Sequence, residues 1–225
     1  KQQADDKVNR IRDKRRGIRY HTPMSTTEKI VAGLRTVRER HPLVHNITNY
    51  VVMNCTANTL LALGASPVMA HAVEEVEEMA ALSGAVVLNI GTLSTPWIEA
   101  MFRAGHAARA KGIPVILDPV GAGTTTLRTE TARRLIREVR PTVIRGNASE
   151  ILALRDSDIQ TRDADSRHTV GQAHETARRI ALDTGAVVAV TGPEDHVTDG
   201  TRTAYIRAGH PLLTRITGSG SMVAA

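Results

Sequence analysis

Aromatic side chains are nearly missing: the 225 residues include one Trp, one Phe and three Tyr. A core must then be built from Val, Ile, Leu, Ala and Met, which argues against an aromatic-rich barrel or sandwich and suits an α/β protein with buried parallel strands. With a single cysteine, Cys55, no internal disulfide can form, and a reducing cytoplasm is the expected setting. No apolar run approaches the roughly 20 residues that span a bilayer. No apolar stretch follows the first basic residues either, which excludes a secretory signal. The nine histidines show no His-Glu-x-x-His spacing, so zinc is not assigned.

Excess positive charge is scarce outside the first segment. The formal net charge is +6, but residues 1–23 hold eight Lys or Arg against three Asp or Glu, leaving 21 against 20 for the remainder. The body is therefore close to neutral and no nucleic-acid partner is expected. The stretch Arg10-Ile11-Arg12-Asp13-Lys14-Arg15-Arg16 could touch phosphates non-specifically, yet its few apolar residues and lack of periodicity read as a disordered leader. Met24, just before a good helix start at Ser25 or Thr26, reads as a natural initiation site. The hydrophobic content of 41% is ordinary for one globular domain, which is expected over residues 24–225.

What is present is alternation. An amphipathic helix with Ile30, Val31, Leu34 and Val37 on one stripe is expected from Ser25 to Arg40, packed on a neighbour. After it, short β-branched runs at Leu43 to Ile47, Ala85 to Ile90, Pro114 to Leu117, Thr142 to Ile144 and Ala186 to Val190 alternate with helical stretches. The helices are Val52 to Leu63, Pro96 to Lys111, Glu130 to Val139 and Gly171 to Asp183. Strand-helix alternation implies parallel strands with crossover helices, and the unbroken apolar character of the Ala85 and Val187 strands implies cover on both faces. The expected architecture is a three-layer α/β/α sandwich with a mostly parallel central sheet. The polar stretch Arg155 to His168 reads as a solvated loop.

In such sheets, ligands sit beyond the carboxyl ends of the strands. Those ends carry His45-Asn46-Ile47-Thr48-Asn49, Asn89-Ile90-Gly91-Thr92, Asp118-Pro119-Val120-Gly121-Ala122-Gly123, Arg145-Gly146-Asn147 and Thr191-Gly192. A last element, Thr217-Gly218-Ser219-Gly220-Ser221, reads as a glycine-rich turn opening a helix. Its backbone can curl so that successive N–H groups face one anion.

Together these are the parts of phosphoryl transfer: a carboxylate for magnesium, donors for the migrating group and an aligned acceptor hydroxyl. Asp118 could hold magnesium or its bound water, or could cap the Gly121-Ala122-Gly123 turn. Glu150 could serve magnesium as well, or could complete a capping box with Asn147. Arg145 could fork a phosphate or pair with Asp118 or Glu150, and Thr191 could bind phosphate or ribose or turn the chain. Ser66-Pro67-Val68-Met69 is extended, with backbone available to line a pocket, although Met69 could equally be core.

Five strings in this order closely resemble the hydroxyethylthiazole kinase family. They are the His45–Asn49 run, Asn58-Thr59-Leu60-Leu61-Ala62-Leu63-Gly64-Ala65-Ser66-Pro67-Val68-Met69-Ala70, Leu88-Asn89-Ile90-Gly91-Thr92-Leu93, the Asp118–Gly123 run and Ile144-Arg145-Gly146-Asn147. The resemblance implies a ribokinase-like fold, a homotrimer with active sites between subunits, and ATP- and Mg2+-dependent phosphorylation of 4-methyl-5-(2-hydroxyethyl)thiazole in thiamine biosynthesis and salvage. Carried over by motif, it implies that the Met69 backbone, Asn49 and Gly218 face the thiazole alcohol, Asn49 from across a subunit interface. Arg145 and Thr191 would bind ATP, Asp118 and Glu150 would organise Mg2+, and Gly218, Gly220 and Ser221 would form the catalytic turn.

Two departures bear on this. The family usually has Cys at the position of Ser221, and a hydroxyl is a poor base without an activator, so slower chemistry is expected, with the phosphates taking the proton. Family members also continue with further helices past this motif, so the domain is expected to be truncated at its C-terminus. Three rivals remain: a hydroxymethylpyrimidine-type kinase, a non-catalytic thiazole- or nucleotide-binding homologue, and nucleic-acid binding through residues 1–23.

Overall fold

The computed structural model describes residues 25–155 and 166–225. The expectations for the basic segment 1–23 and for most of the loop at 155–168 fall outside the described residues. In chain order the elements are α1 (Thr26–Arg40), β1 (Leu43–Ile47), α2 (Met53–Leu63), β2 (Ser66–Val68), α3 (Val76–Leu82), β3 (Ala85–Asn89), α4 (Thr95–Ala110) and β4 (Val115–Asp118). There follow α5 (Thr126–Glu138), β5 (Val143–Asn147), α6 (Ala148–Ala153), α7 (Ser166–Thr184), β6 (Val187–Thr191), β7 (Asp195–Thr198), β8 (Thr203–Ile206), a 3-10 turn (Pro211–Arg215) and α8 (Ser219–Ala224).

The eight strands form one sheet in the order β2-β1-β3-β4-β5-β6-β7-β8. Pairings from β2 through β6 are parallel, while β6-β7 and β7-β8 are antiparallel. The chain moves outward from β1 to β2 and then crosses to β3 on the other side, so the order reverses between β1 and β3. That is where an open α/β sheet leaves a crevice at its carboxyl edge.

Strand alternation sends side chains to two separate cores. Val86, Leu88, Val115, Leu117 and Ile144 join α3, α4, α5, α6 and α7 in the larger one. Val44 and Val87 join Leu60 of α2 on the opposite face, with Val37, Ile116 and Ala225 packed against them. The expected three-layer sandwich with its mostly parallel sheet is the observed fold.

Helix starts follow their chemistry. Ser94 caps α4 through the Trp97 N–H, with Pro96 in the first turn, and Thr125 caps α5 through the Arg128 N–H. Two expectations are corrected. No residue of α1 is fully buried: Ile30 and Val31 are exposed and Leu34 and Val37 are half-buried, so only the end of the expected stripe, at Val37, packs against the core. Helix α7 begins at Ser166, inside the stretch read as a loop.

Candidate active site at the carboxyl edge of the sheet

Asp118 ends β4, and its register partner on β3 is Asn89. Two central strands thus deliver a carboxylate and a carboxamide side by side. Asp118 is fully buried; its Oδ2 accepts a 2.6 Å hydrogen bond from Asn89 Nδ2, while Oδ1 has no hydrogen-bond partner. Burial pushes the Asp118 carboxyl up to about 6; the Arg145 guanidinium opposes the rise, Glu150 adds to it, and the nearby Ser221 hydroxyl partly offsets it.

Arg145 lies on β5, the next strand. Its Nη1 is 3.6 Å from Asp118 Oδ1, and its Nη2 donates to Thr191 Oγ1 at 2.7 Å. Asn147 and Thr191 are register partners on β5 and β6, so the sheet itself brings the ends of these strands together. Of the alternatives for Arg145, the partner is Asp118, at a separation too long for a direct hydrogen bond, so the fork is only loosely engaged. Arg145 and Thr191, both expected at a nucleotide, form one unit.

Asp118 does not cap the glycine turn after β4. Glu150 takes that N–H: its Oε1 accepts from Gly121 N at 2.9 Å, and its Oε2 accepts from Asn147 N at 2.9 Å. Asn147 Oδ1 in turn accepts from Glu150 N, completing the capping box of α6. Glu150 therefore stitches two strand-end turns together beside Asp118. Among the described residues no cluster of three or more His, Cys, Asp or Glu could hold a metal ion. The buried, unpartnered Asp118 Oδ1 is the one oxygen of this pair with no other duty.

The glycine-rich turn arrives from the end of the chain. Gly218 has φ +84°, a left-handed conformation that side chains rarely adopt, and a Cβ there would lie 2.6 Å from Val52 Cγ1. It immediately precedes α8, whose buried Ser221 accepts a hydrogen bond from Asn89 Nδ2 at 2.9 Å. A Cβ on Gly220 would fall 2.7 Å from Arg145 Nη1, so the bare glycine makes room for the guanidinium.

On the β1-β2 side, Asn49 is buried and donates from Nδ2 to Asn89 Oδ1 at 2.9 Å. Met69 follows β2 and is half-buried. Its neighbour Ala70 presents a carbonyl to His45 Nε2 at 2.7 Å. Because a carbonyl only accepts, Nε2 of buried His45 carries the proton, and burial holds that imidazole below its usual pKa. Trp97 packs beside this segment, its ring 4.7 Å from His71 and 5.0 Å from Tyr50.

The structure thus joins Asp118, Arg145, Thr191, Gly218, Gly220, Ser221 and Asn49 in one neighbourhood, with Glu150 bracing it. Met69 lies on the β2 side, linked through the strand β1 that also leads to Asn49. Asn89 was not singled out from the sequence, although its place at the end of a buried strand was a usable signal.

A doubly wound sandwich with a mostly parallel sheet, gathering a buried carboxylate, an arginine and a turn of small residues at its carboxyl edge, is a fold of the ribokinase-like class. Its fold is shared with pyridoxal kinase from Staphylococcus aureus, at 18% identity and TM-score 0.55 over 72% of this chain and 69% of that one. It is also shared with phosphomethylpyrimidine kinase from Clostridium difficile 630, at 14% identity and TM-score 0.53 over 81% of this chain and 91% of that one.

Within that class the chain belongs to the hydroxyethylthiazole kinase family, whose model matches residues 34–225. It is 55% identical over 202 residues to hydroxyethylthiazole kinase of Oleidesulfovibrio alaskensis, covering 90% of this chain and 76% of that protein. A solved structure of hydroxyethylthiazole kinase protein from Pyrococcus horikoshii OT3 is 48% identical with TM-score 0.78, over 87% of this chain and 73% of that one. No helix among the described residues is long and apolar enough to cross a membrane.

Proposed function

We propose that this chain transfers the γ-phosphoryl group of ATP to the hydroxyl of 4-methyl-5-(2-hydroxyethyl)thiazole, giving 4-methyl-5-(2-phosphooxyethyl)thiazole for thiamine biosynthesis and salvage. The observation that carries this reading is the unpartnered Asp118 Oδ1 held beside Arg145 at the sheet edge, in a chain 55% identical to a hydroxyethylthiazole kinase.

Arg145 and Thr191 take the ATP phosphates. Arg145 Nη1 makes only a long contact with Asp118 in the free chain, so that donor can turn to phosphate at little cost while Nη2 stays on Thr191. Asp118, with Glu150 behind it, suits Mg2+, which binds through one or two carboxylates plus substrate phosphates and needs no all-protein cage. Held there, Mg2+ would supply neutralisation of the phosphate charge.

The Met69 backbone and Asn49 face the alcohol, and its hydroxyl oxygen points at the γ-phosphorus over Gly218. That oxygen forms the new P–O bond, the bond to the bridging oxygen breaks and ADP leaves. The turn Gly218-Ser219-Gly220-Ser221 supplies N–H donors to the migrating group. Ser221 is a poor base, so the alcohol proton passes to a phosphoryl oxygen. Sites shared between subunits of a homotrimer complete the reading.

The test is selectivity. Steady-state phosphorylation of the thiazole alcohol and of a hydroxymethylpyrimidine is compared at fixed ATP and Mg2+. A kcat/KM at least about tenfold higher for the thiazole is expected, within what one shaped pocket achieves. Equal or reversed preference would move the chain to another ribokinase-like activity.

A further inference from the structure

One carboxamide lies at the centre of the site. Asn89 is 1% exposed and makes four hydrogen bonds at the end of β3. Its Oδ1 accepts from Gly91 N at 2.9 Å and from Asn49 Nδ2 at 2.9 Å; its Nδ2 donates to Asp118 Oδ2 at 2.6 Å and to Ser221 Oγ at 2.9 Å. The full capacity of an amide side chain is used.

The orientation of this group follows from chemistry. A backbone N–H can only donate, so the atom facing Gly91 is the amide oxygen, and the NH2 must face Asp118 and Ser221. With that oxygen fixed, the atom Asn49 turns toward it must be its own NH2. Both NH2 hydrogens of Asn89 are committed, which leaves Ser221 Oγ as an acceptor and directs its own hydrogen away from Asn89. Asp118 Oδ2 is likewise occupied, so the free oxygen is Oδ1, the one beside Arg145.

The approach of Asn49 needs bare backbone. A Cβ on Gly91 would fall 2.6 Å from Asn49 Nδ2 and 2.9 Å from its Cβ. The β1 end can close on the β3 end because position 91 carries no side chain. This contact sits at the crevice where the strand order reverses.

We propose that Asn89 is a positioning residue for phosphoryl transfer: its carboxamide locks Asp118, Ser221 and Asn49 of one chain into one register at the carboxyl edge of the sheet. The inference rests on the kinase reading above. Asn89 acts through its three partners and takes no part in bond making. Its loss shifts Asp118 Oδ1 and the Ser221 hydroxyl together, while Arg145 and Thr191 keep their mutual hydrogen bond.

Two variants separate its halves. Asn89→Asp is isosteric and keeps the oxygen that faces Gly91 and Asn49, but sets a carboxylate against Asp118 Oδ2 and removes the donor to Ser221. Asn89→Ser is neutral and too short to reach all partners, and it carries the test if the acidic variant does not fold.

For folded variants, kcat should fall about 10- to 100-fold, the size of an angstrom-scale misplacement, with KM for ATP within about threefold of the wild type. The loss in kcat from Asn89→Ser should also shrink in a Ser221→Ala background, because the two residues act as one unit. Retained kcat, a KM for ATP that rises in the same proportion, or strictly additive losses would overturn the proposal. Wild-type product formation is measured alongside. Its absence overturns the kinase reading and this inference together, whereas an active wild type with unimpaired Asn89 variants overturns the inference alone.

Discussion

Gly220 lies against Arg145, so closely that a methyl group on its Cα would come 2.7 Å from Nη1 and 2.9 Å from Nη2. The obstacle is the end of a flexible side chain, which can give way. Gly220→Ala should therefore fold with little loss of stability but displace the guanidinium from Thr191 and Asp118, raising KM for ATP about tenfold. Gly218→Ala should behave differently. Its φ of +84° and the 2.6 Å approach to Val52 offer no flexible escape. The expected cost is about 2 kcal/mol or more, read by denaturant unfolding.

Thr191→Val keeps shape and removes the hydroxyl that accepts from Arg145 Nη2 at 2.7 Å. A hydrogen bond to a charged group is worth about 1.5–3 kcal/mol, so ATP affinity should weaken about tenfold or more. Titration of ATP against folded protein checks this, and an unchanged affinity would remove Thr191 from the nucleotide site.

Asp118→Asn separates function from stability. Turnover should fall at least about 100-fold with loss of the Mg2+ dependence. The stability sign is the reverse of the common carboxylate case. The folded pKa is raised from 3.8 to about 6, so the folded state holds the extra proton across that window, and the wild type loses stability as pH rises through it. Relative to the wild type, Asp118→Asn should gain up to about 3 kcal/mol between pH 4 and pH 7, from a shift near two pH units. Metal-free urea unfolding at both pH values measures the gain.

A second pH effect lies away from the site. His174 and His196 stack with ring centroids 4.0 Å apart and planes at 8°, and Tyr205 meets both edge-on. Burial lowers both imidazoles; the His174 charge lowers His196 further, while Glu194 partly restores His174. The unfolded chain then binds protons first, so the pair's full contribution is present above the ordinary value of 6.5 and is lost as pH falls below it. In His196→Phe the drop in stability between pH 7.5 and 5.5 should be smaller than in the wild type. An equal drop would assign the acid sensitivity elsewhere.

Much of the fold was legible because its central strands are continuous β-branched runs, such as Val187-Val188-Ala189-Val190, separated by helices with clear starts. The antiparallel pair β7-β8 was not. Its strands read Asp-His-Val-Thr and Thr-Ala-Tyr-Ile, and β8 is exposed throughout, so no burial pattern marks it. Helix α3 is short, with paired glutamates in its first turn, and leaves too little periodicity to see. At the site, single residues at strand ends could be named one at a time, and the Asn147-Glu150 capping box was readable from spacing. The role of Asn89 was not, because its side-chain partners lie 40, 29 and 132 residues away in the chain. Only pairing of β1, β3 and β4 and the return of α8 bring them together.

The most direct measurement is product analysis by phosphorus NMR and mass spectrometry after incubating the protein with ATP, Mg2+ and 4-methyl-5-(2-hydroxyethyl)thiazole. One phosphate monoester of the thiazole alcohol should form for each ADP released. ADP without the monoester, or ATP bound and left intact, would contradict a thiazole kinase with Ser221 in its catalytic turn.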